Sequence, residues 1–100
     1  MKELLFLNPI HKSGRNLTVR RGIKWSLENE ANVQGLSSEE KFSRQEIETA
    51  VVLFRDLRDG DLKNEHDPSC RNYYGLLCAM KRAYPTFDER ELVTLVYYEA

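Results

Sequence analysis

Leu4-Leu5-Phe6-Leu7 opens the chain as a short, unbroken apolar run that Asn8-Pro9 stops. Too short for a helix, it predicts a first strand, apolar on both faces and therefore central. His11-Lys12-Ser13-Gly14 follows as a polar connection with Gly14 as its turn residue. The pattern then alternates. Leu17 and Val19 point one way while Asn16, Thr18 and Arg20 point the other, which predicts a half-buried strand over 16–20 with a polar face to its surroundings. Arg21-Gly22 breaks this strand, and Ile23 and Trp25 flank Lys24 in a second short alternation.

Residues 26–46 carry the weakest pattern. Ala31-Asn32-Val33-Gln34 suits a short strand, and Ser37-Ser38-Glu39-Glu40-Lys41 an exposed loop. Residues 47–57 are mostly apolar and rich in β-branched and aromatic side chains, which predicts a strand buried on both sides. The polar stretch from Asp56 to Asp67 has room for a short helical turn. Asp67-Pro68 then reads as an N-cap followed by proline at the first helical position. A main helix over about 69–84 follows, because Tyr73, Leu76, Leu77, Met80 and Tyr84 share one face. Lys81 and Arg82 suit the dipole of its last turn, and Pro85 ends it. Leu92 to Tyr98 is the clearest strand, central by composition. Several strands, one helix and no regular β-α-β alternation predict an α+β fold, a small partly closed barrel of five to six mostly antiparallel strands capped by the helix.

At 100 residues the chain has the length of one domain, taken as 1–100. Its 41% hydrophobic content supplies one core, and its 31% charged content argues against wholesale disorder. No window approaches the roughly 18 apolar residues of a membrane span, and the first apolar run is too short for a secretory signal. A cytoplasmic location with no membrane partner is the expectation. In a continuous helix Cys70 and Cys78 would stand roughly 12 Å apart at about 1.5 Å per residue. They are too far apart to pair and wrongly spaced for a metal, so both are expected as reduced thiols. His11 and His66 lack ligand-spaced partners, and Asp56, Asp59, Asp61 and Asp67 lack the pattern of a calcium loop. Neither a metal nor a cofactor is expected.

The net charge of -1 conceals an asymmetry. The first 25 residues carry Lys2, Lys12, Arg15, Arg20, Arg21 and Lys24 against Glu3 alone, so the remainder is acidic. A basic end on a mildly acidic chain suggests a local anionic partner such as phosphate or nucleic acid, ahead of the alternative of a solvated strand-loop-strand surface. Trp25, beside Lys24 and near Arg20-Arg21, is the best candidate for stacking on an unpaired base. Tyr73 is assigned to the core.

Residues 47–99 resemble the C-terminal half of an ASCH domain, a small barrel related to PUA RNA-binding modules. The likeness runs through Val52-Leu53-Phe54-Arg55-Asp56-Leu57, Asp59-Gly60-Asp61-Leu62, Glu65, Ala83-Tyr84-Pro85 and Leu92-Val93-Thr94-Leu95-Val96-Tyr97-Tyr98-Glu99. Ser13-Gly14-Arg15-Asn16-Leu17-Thr18-Val19-Arg20 is similar to that family's glycine-lysine-rich loop and following strand. The resemblance implies RNA binding in a cleft between barrel and helix. For some small members it implies deacylation of a modified cytidine by a threonine, a lysine and a glutamate. Thr18 and Glu65 match two of these. Arg15 stands three before Thr18 where the lysine is wanted, and Lys12 is the nearest lysine. Arginine stays protonated and cannot act as the base that a hydroxyl nucleophile requires.

Two readings follow. One is an RNA- or nucleotide-binding module using Lys12, Arg15, Arg20, Arg21, Lys24 and Trp25. The other is an amidohydrolase with Thr18 as nucleophile, Glu65 as acid/base and Lys12 as helper.

Overall fold

The computed structural model describes residues 2–7 and 10–100. The strand β6, Leu92–Glu99, lies at the centre of an antiparallel sheet with β2, Arg15–Arg21, on one side and β5, Glu48–Leu53, on the other. Alternation along β6 separates two cores. Val93 and Leu95 pack with Leu17, Val19, Leu76 and Met80 beneath the helix α1, Tyr73–Ala83. Val96 and Tyr98 pack on the other face with Leu4, Ala31, Val33 and Ile47. That second core belongs to a smaller sheet in which β3, Glu30–Gln34, lies between a parallel β1, Glu3–Leu4, and an antiparallel β4, Phe42–Glu46. The layers are therefore helix, sheet, sheet. As expected, the fold is α+β with six mostly antiparallel strands and one main helix.

The two hydrogen-bonded sheets join at a corner. β4 runs almost directly into β5, and Ile47 between them is buried, its N–H donating to Asn29 O at 3.0 Å. One bent strand thus feeds both sheets, which curls them around the shared core.

Several elements differ from the sequence reading. β1 holds two residues at a sheet edge rather than four at a centre, and Leu5 and Leu7 are exposed. Only Leu4 enters the core; beyond it the apolar run leaves the sheet. The Asn8-Pro9 stop lies outside the described residues. β2 is not half-buried: Asn16 and Thr18 are as enclosed as Leu17 and Val19, because its polar face turns toward the second sheet. Asn16 is satisfied there by Lys12 N–H, Lys12 O and Gly14 O. Gly14 and Gly22 bracket this strand with φ of 89° and 79°, in the region that glycine adopts without strain.

β5 is shorter than 47–57 and lies at an edge, with Ala50 and Val51 exposed. Its β-branched composition reports a fit to a pleated surface, not a central position. Phe54–Asp56 forms a 3₁₀ turn beyond it, and Lys24–Leu27 forms another in place of the second alternation. The polar β4 carries no strand pattern in the sequence; pairing with β3 makes it a strand.

Asp67 caps a separate 3₁₀ turn, Pro68–Cys70, by accepting from Ser69 N–H. The expected turn between 56 and 67 is Asp59–Leu62. α1 starts later than 69 because Asn72 supplies its own cap, accepting from Gly75 N–H at 2.8 Å. Buried Cys70 is thus outside the helix that carries Cys78, and both thiols are free. Among the described residues no helix is long and apolar enough to cross a membrane.

Candidate nucleotide-binding cleft

Because β2 is an edge strand, its outer side must find partners elsewhere. Near Leu17 it does. Leu17 N–H donates to Asn64 O at 2.7 Å, and Leu17 O accepts from His66 N–H at 3.0 Å. This clips residues 64–66 beside β2 and sets Glu65 opposite Leu17. Gly14 and Gly22 bond instead to Ala100 and Leu92 at the ends of β6, so even-numbered residues face β6 and odd-numbered ones face outward. Val19 therefore turns its own N–H and C=O outward. No main-chain group of the described residues outside β6 meets them there.

A cleft of about 270 Å³ opens at that point, between α1 and the stretch after β1. Phe6, Thr18, Arg20, Glu65, His66 and Tyr84 are among the residues that line it, together with Val19. Arg20 organises one wall. Its Nε donates to Thr18 Oγ1 at 3.2 Å, its Nη2 donates to Leu5 O at 2.8 Å, and its guanidinium lies 5.0 Å from the centre of the Phe6 ring. Burial pulls the Arg20 pKa down, opposed by Tyr84, Glu65 and Tyr98, yet an arginine remains protonated.

Glu65 forms the opposite pole. It is 2% exposed; its Oε1 accepts from Asp67 N–H at 3.2 Å and lies 2.6 Å from His66 Nδ1. Phe6 joins the two sides, its ring meeting those of His66 and His11 edge-on at 4.7 and 4.9 Å between centroids. Behind it Tyr98 Oη and His11 Nδ1 lie 2.7 Å apart, and His11 Nε2 lies 2.8 Å from Gln34 O. Burial, opposed by the Gln34 bond and helped by the His66 charge, lowers the His11 pKa. Burial and the Glu65 charge push the Tyr98 phenol well up. Burial and Glu65 also raise the Cys70 thiol to about 11, so it stays protonated at neutral pH.

The structure thus brings Thr18, Arg20 and Glu65 to one cleft and leaves the other expected site residues outside it. Lys12 is in the loop before β2, its main chain held by Asn16, and does not line the cleft. Arg15 borders a separate groove of about 740 Å³, stacked 4.3 Å over Tyr97 and 3.4 Å from Glu48. Arg44 in that groove is likewise paired with Glu30. Arg21 makes two bonds to Glu91, at 2.7 and 3.1 Å. Lys24 is exposed on a 3₁₀ turn, and Trp25 packs on the second core beneath Lys2. The smaller cleft is the better candidate despite its size, because its polar groups converge while each arginine of the groove faces a glutamate.

Phe6, His66 and the Val19 main chain were missed in the sequence. Phe6 was hidden in a supposed central strand. His66 has no ligand-spaced partner in the sequence, and its position beside Glu65 is the signal that points to it. No group of three potential metal-ligating side chains occurs among the described residues. Neither a protein-family model, nor a curated protein, nor a solved structure matches the chain.

Proposed function

We propose that this protein binds RNA or a nucleotide-like ligand by taking one unpaired base into the Thr18–Glu65 cleft. The observation that carries this reading is the meeting of complementary groups in one slot: a main-chain donor and acceptor at Val19, the Arg20 guanidinium, the Glu65 carboxylate and the Phe6 ring. Base edges are read by donor and acceptor patterns, and splayed bases stack on aromatic and guanidinium planes. A cleft of about 270 Å³ is just below the roughly 300–1,000 Å³ of small-ligand sites and suits a base or nucleoside, not a duplex. The resemblance to ASCH domains supports the same reading. Arg15 and Arg21 are engaged with Glu48 and Glu91 and do not line the cleft, whose lining carries Arg20 as its arginine, so the affinity should fall only gently with salt.

Titration of a fluorescein-labelled single-stranded RNA decamer against its duplex form tests this. Preference for the single strand, weakened in Arg20→Ala, is the expected result. Equal affinity for both forms, or no binding at low salt, overturns it.

A second reading rests on one contact. Because Thr18 Oγ1 accepts from Arg20 Nε, its own proton is free to be given up, and Glu65 shares the cleft. That suits an amidohydrolase acting on an acylated cytidine-type nucleoside, with Thr18 as nucleophile and Glu65 as acid/base. Lys12 has no place in the cleft, so Glu65 would carry the proton transfer without it. Deacetylation of N-acetylcytidine by the protein, abolished in Thr18→Ala, is the expected outcome under this reading; equal turnover by the variant excludes it.

A further inference from the structure

His66 carries an imidazole into the cleft beside Glu65, and its two nitrogens have different surroundings. Nδ1 faces two acceptors, Glu65 Oε1 at 2.6 Å and Leu17 O at 3.3 Å. Leu17 O is a carbonyl and can only accept, so its bond needs the proton on Nδ1. Nδ1 therefore holds a proton in every charge state of the ring, and the neutral ring has its lone pair on Nε2. Nε2 has no hydrogen-bond partner among the described residues, and no unpartnered side-chain nitrogen or oxygen is sealed from solvent there. His66 lines the cleft. Its Nε2 is thus the ring atom left to meet a ligand.

We propose that His66 is the pH-dependent reading group of the cleft, accepting a base N–H at Nε2 when neutral and presenting a proton in its place when charged. The inference rests on the reading of the cleft as a nucleobase site and adds the group that makes recognition reversible by acid. Arg20 and Val19 keep their hydrogen-bonding character over the same range, so only this wall changes sign. The titratable and charged groups beside the ring are Glu65 and Asp67 on its own segment and His11 before it, and Arg20, Cys70 and Tyr84 line the same cleft. Histidine is the side-chain type that ordinarily changes charge near neutral pH, and His11 is the other histidine of the chain. His11 bonds to Tyr98 and Gln34 and does not line the cleft.

Two measurements test the proposal. Long-range ¹H–¹⁵N correlation spectra of the whole protein at pH 8 should show His66 with a protonated Nδ1 and a bare Nε2, resolved from His11. Binding of the labelled single-stranded decamer should weaken about tenfold from pH 8 to pH 5.5, the equivalent of one hydrogen bond of about 1.4 kcal/mol. His66→Gln, whose amide does not titrate, should bind with little dependence on pH. A spectrum with the proton on Nε2 overturns the proposal without any variant. So does an acid loss that persists in His66→Gln while the decamer still binds, which leaves the functional reading standing. Absence of binding at both pH values overturns the functional reading and this inference together.

Discussion

The Arg20 guanidinium joins Thr18 of its own strand to Leu5, just after β1, donating to Thr18 Oγ1 at 3.2 Å and to Leu5 O at 2.8 Å. One side chain thereby fixes the hydroxyl, the stretch after β1 and the Phe6 ring that walls the cleft. A lysine keeps the charge but lacks the planar fork needed to serve both acceptors at once. Arg20→Lys should fold with a loss of about 1 kcal/mol, while Arg20→Ala should lose about 1–3 kcal/mol. Both should weaken RNA binding at least severalfold. Urea denaturation with RNA titration on the same samples measures both effects; unchanged binding in Arg20→Ala would remove Arg20 from the site.

Gly75 is in the first turn of α1, where a β-carbon would land on the Ser69 carbonyl. This close approach lets the Pro68–Cys70 turn pack against α1, and α1 in turn forms one wall of the cleft. Gly75→Ala should therefore cost about 3 kcal/mol, at the upper end of overpacking, although alanine is the better helix former. A thermal melt decides it: a variant as stable as the parent would show that the two turns do not depend on this contact.

Tyr98 is 1% exposed, and its hydroxyl lies 2.7 Å from His11 Nδ1. Since His11 Nε2 donates to Gln34 O, the neutral ring accepts at Nδ1 and Tyr98 is the donor. Tyr98→Phe leaves that nitrogen without a partner and should cost about 1–3 kcal/mol. Tyr73→Phe removes a hydroxyl bonded to Glu89 on the half-buried side of α1, where water can replace it, so the loss should stay nearer 0.5–1 kcal/mol. Equal costs for the two, read from urea midpoints, would contradict this ranking.

How legible the site was varied with the kind of signal. β6 was visible because a strand buried on both faces writes an almost unbroken apolar run. Leu4–Leu7 wrote a similar run and meant something else: Leu4 enters the core while Leu5 and Leu7 stand exposed. Hydrophobicity reports that a side chain avoids water on average, not whether its strand is central. Thr18 and Glu65 enter the reading through the resemblance to ASCH domains, and Arg20 through the basic charge of the first 25 residues. Arg15 and Arg21, at opposite ends of β2, were not separable from Arg20, because their Glu48 and Glu91 partners are 33 and 70 residues away. The opening of β2 at Val19 has no sequence signature, since it follows from where residues 64–66 stop.

His11 supplies the last prediction, a pH dependence of stability. Burial holds its pKa below the ordinary 6.5, against the raising effect of the Gln34 bond and with the His66 charge acting in the same sense as burial. Below 6.5 the unfolded chain takes up a proton at His11 that the folded protein resists. The unfolded state then binds more protons, so this group makes stability rise with pH across the window between the folded value and 6.5. On acidification its contribution is lost from 6.5 downward and levels off below the folded pKa. Asp67, Glu30 and Glu91, whose pKa values are lowered in the folded protein, act below the ordinary carboxylate range and do not mask this window. Urea midpoints at pH 7.5 and 5.5 should therefore fall for the parent protein. The drop should shrink in His11→Gln, which keeps a donor for Gln34 O and an acceptor for Tyr98 but does not titrate. An identical drop in both proteins would assign the acid sensitivity to a group other than His11.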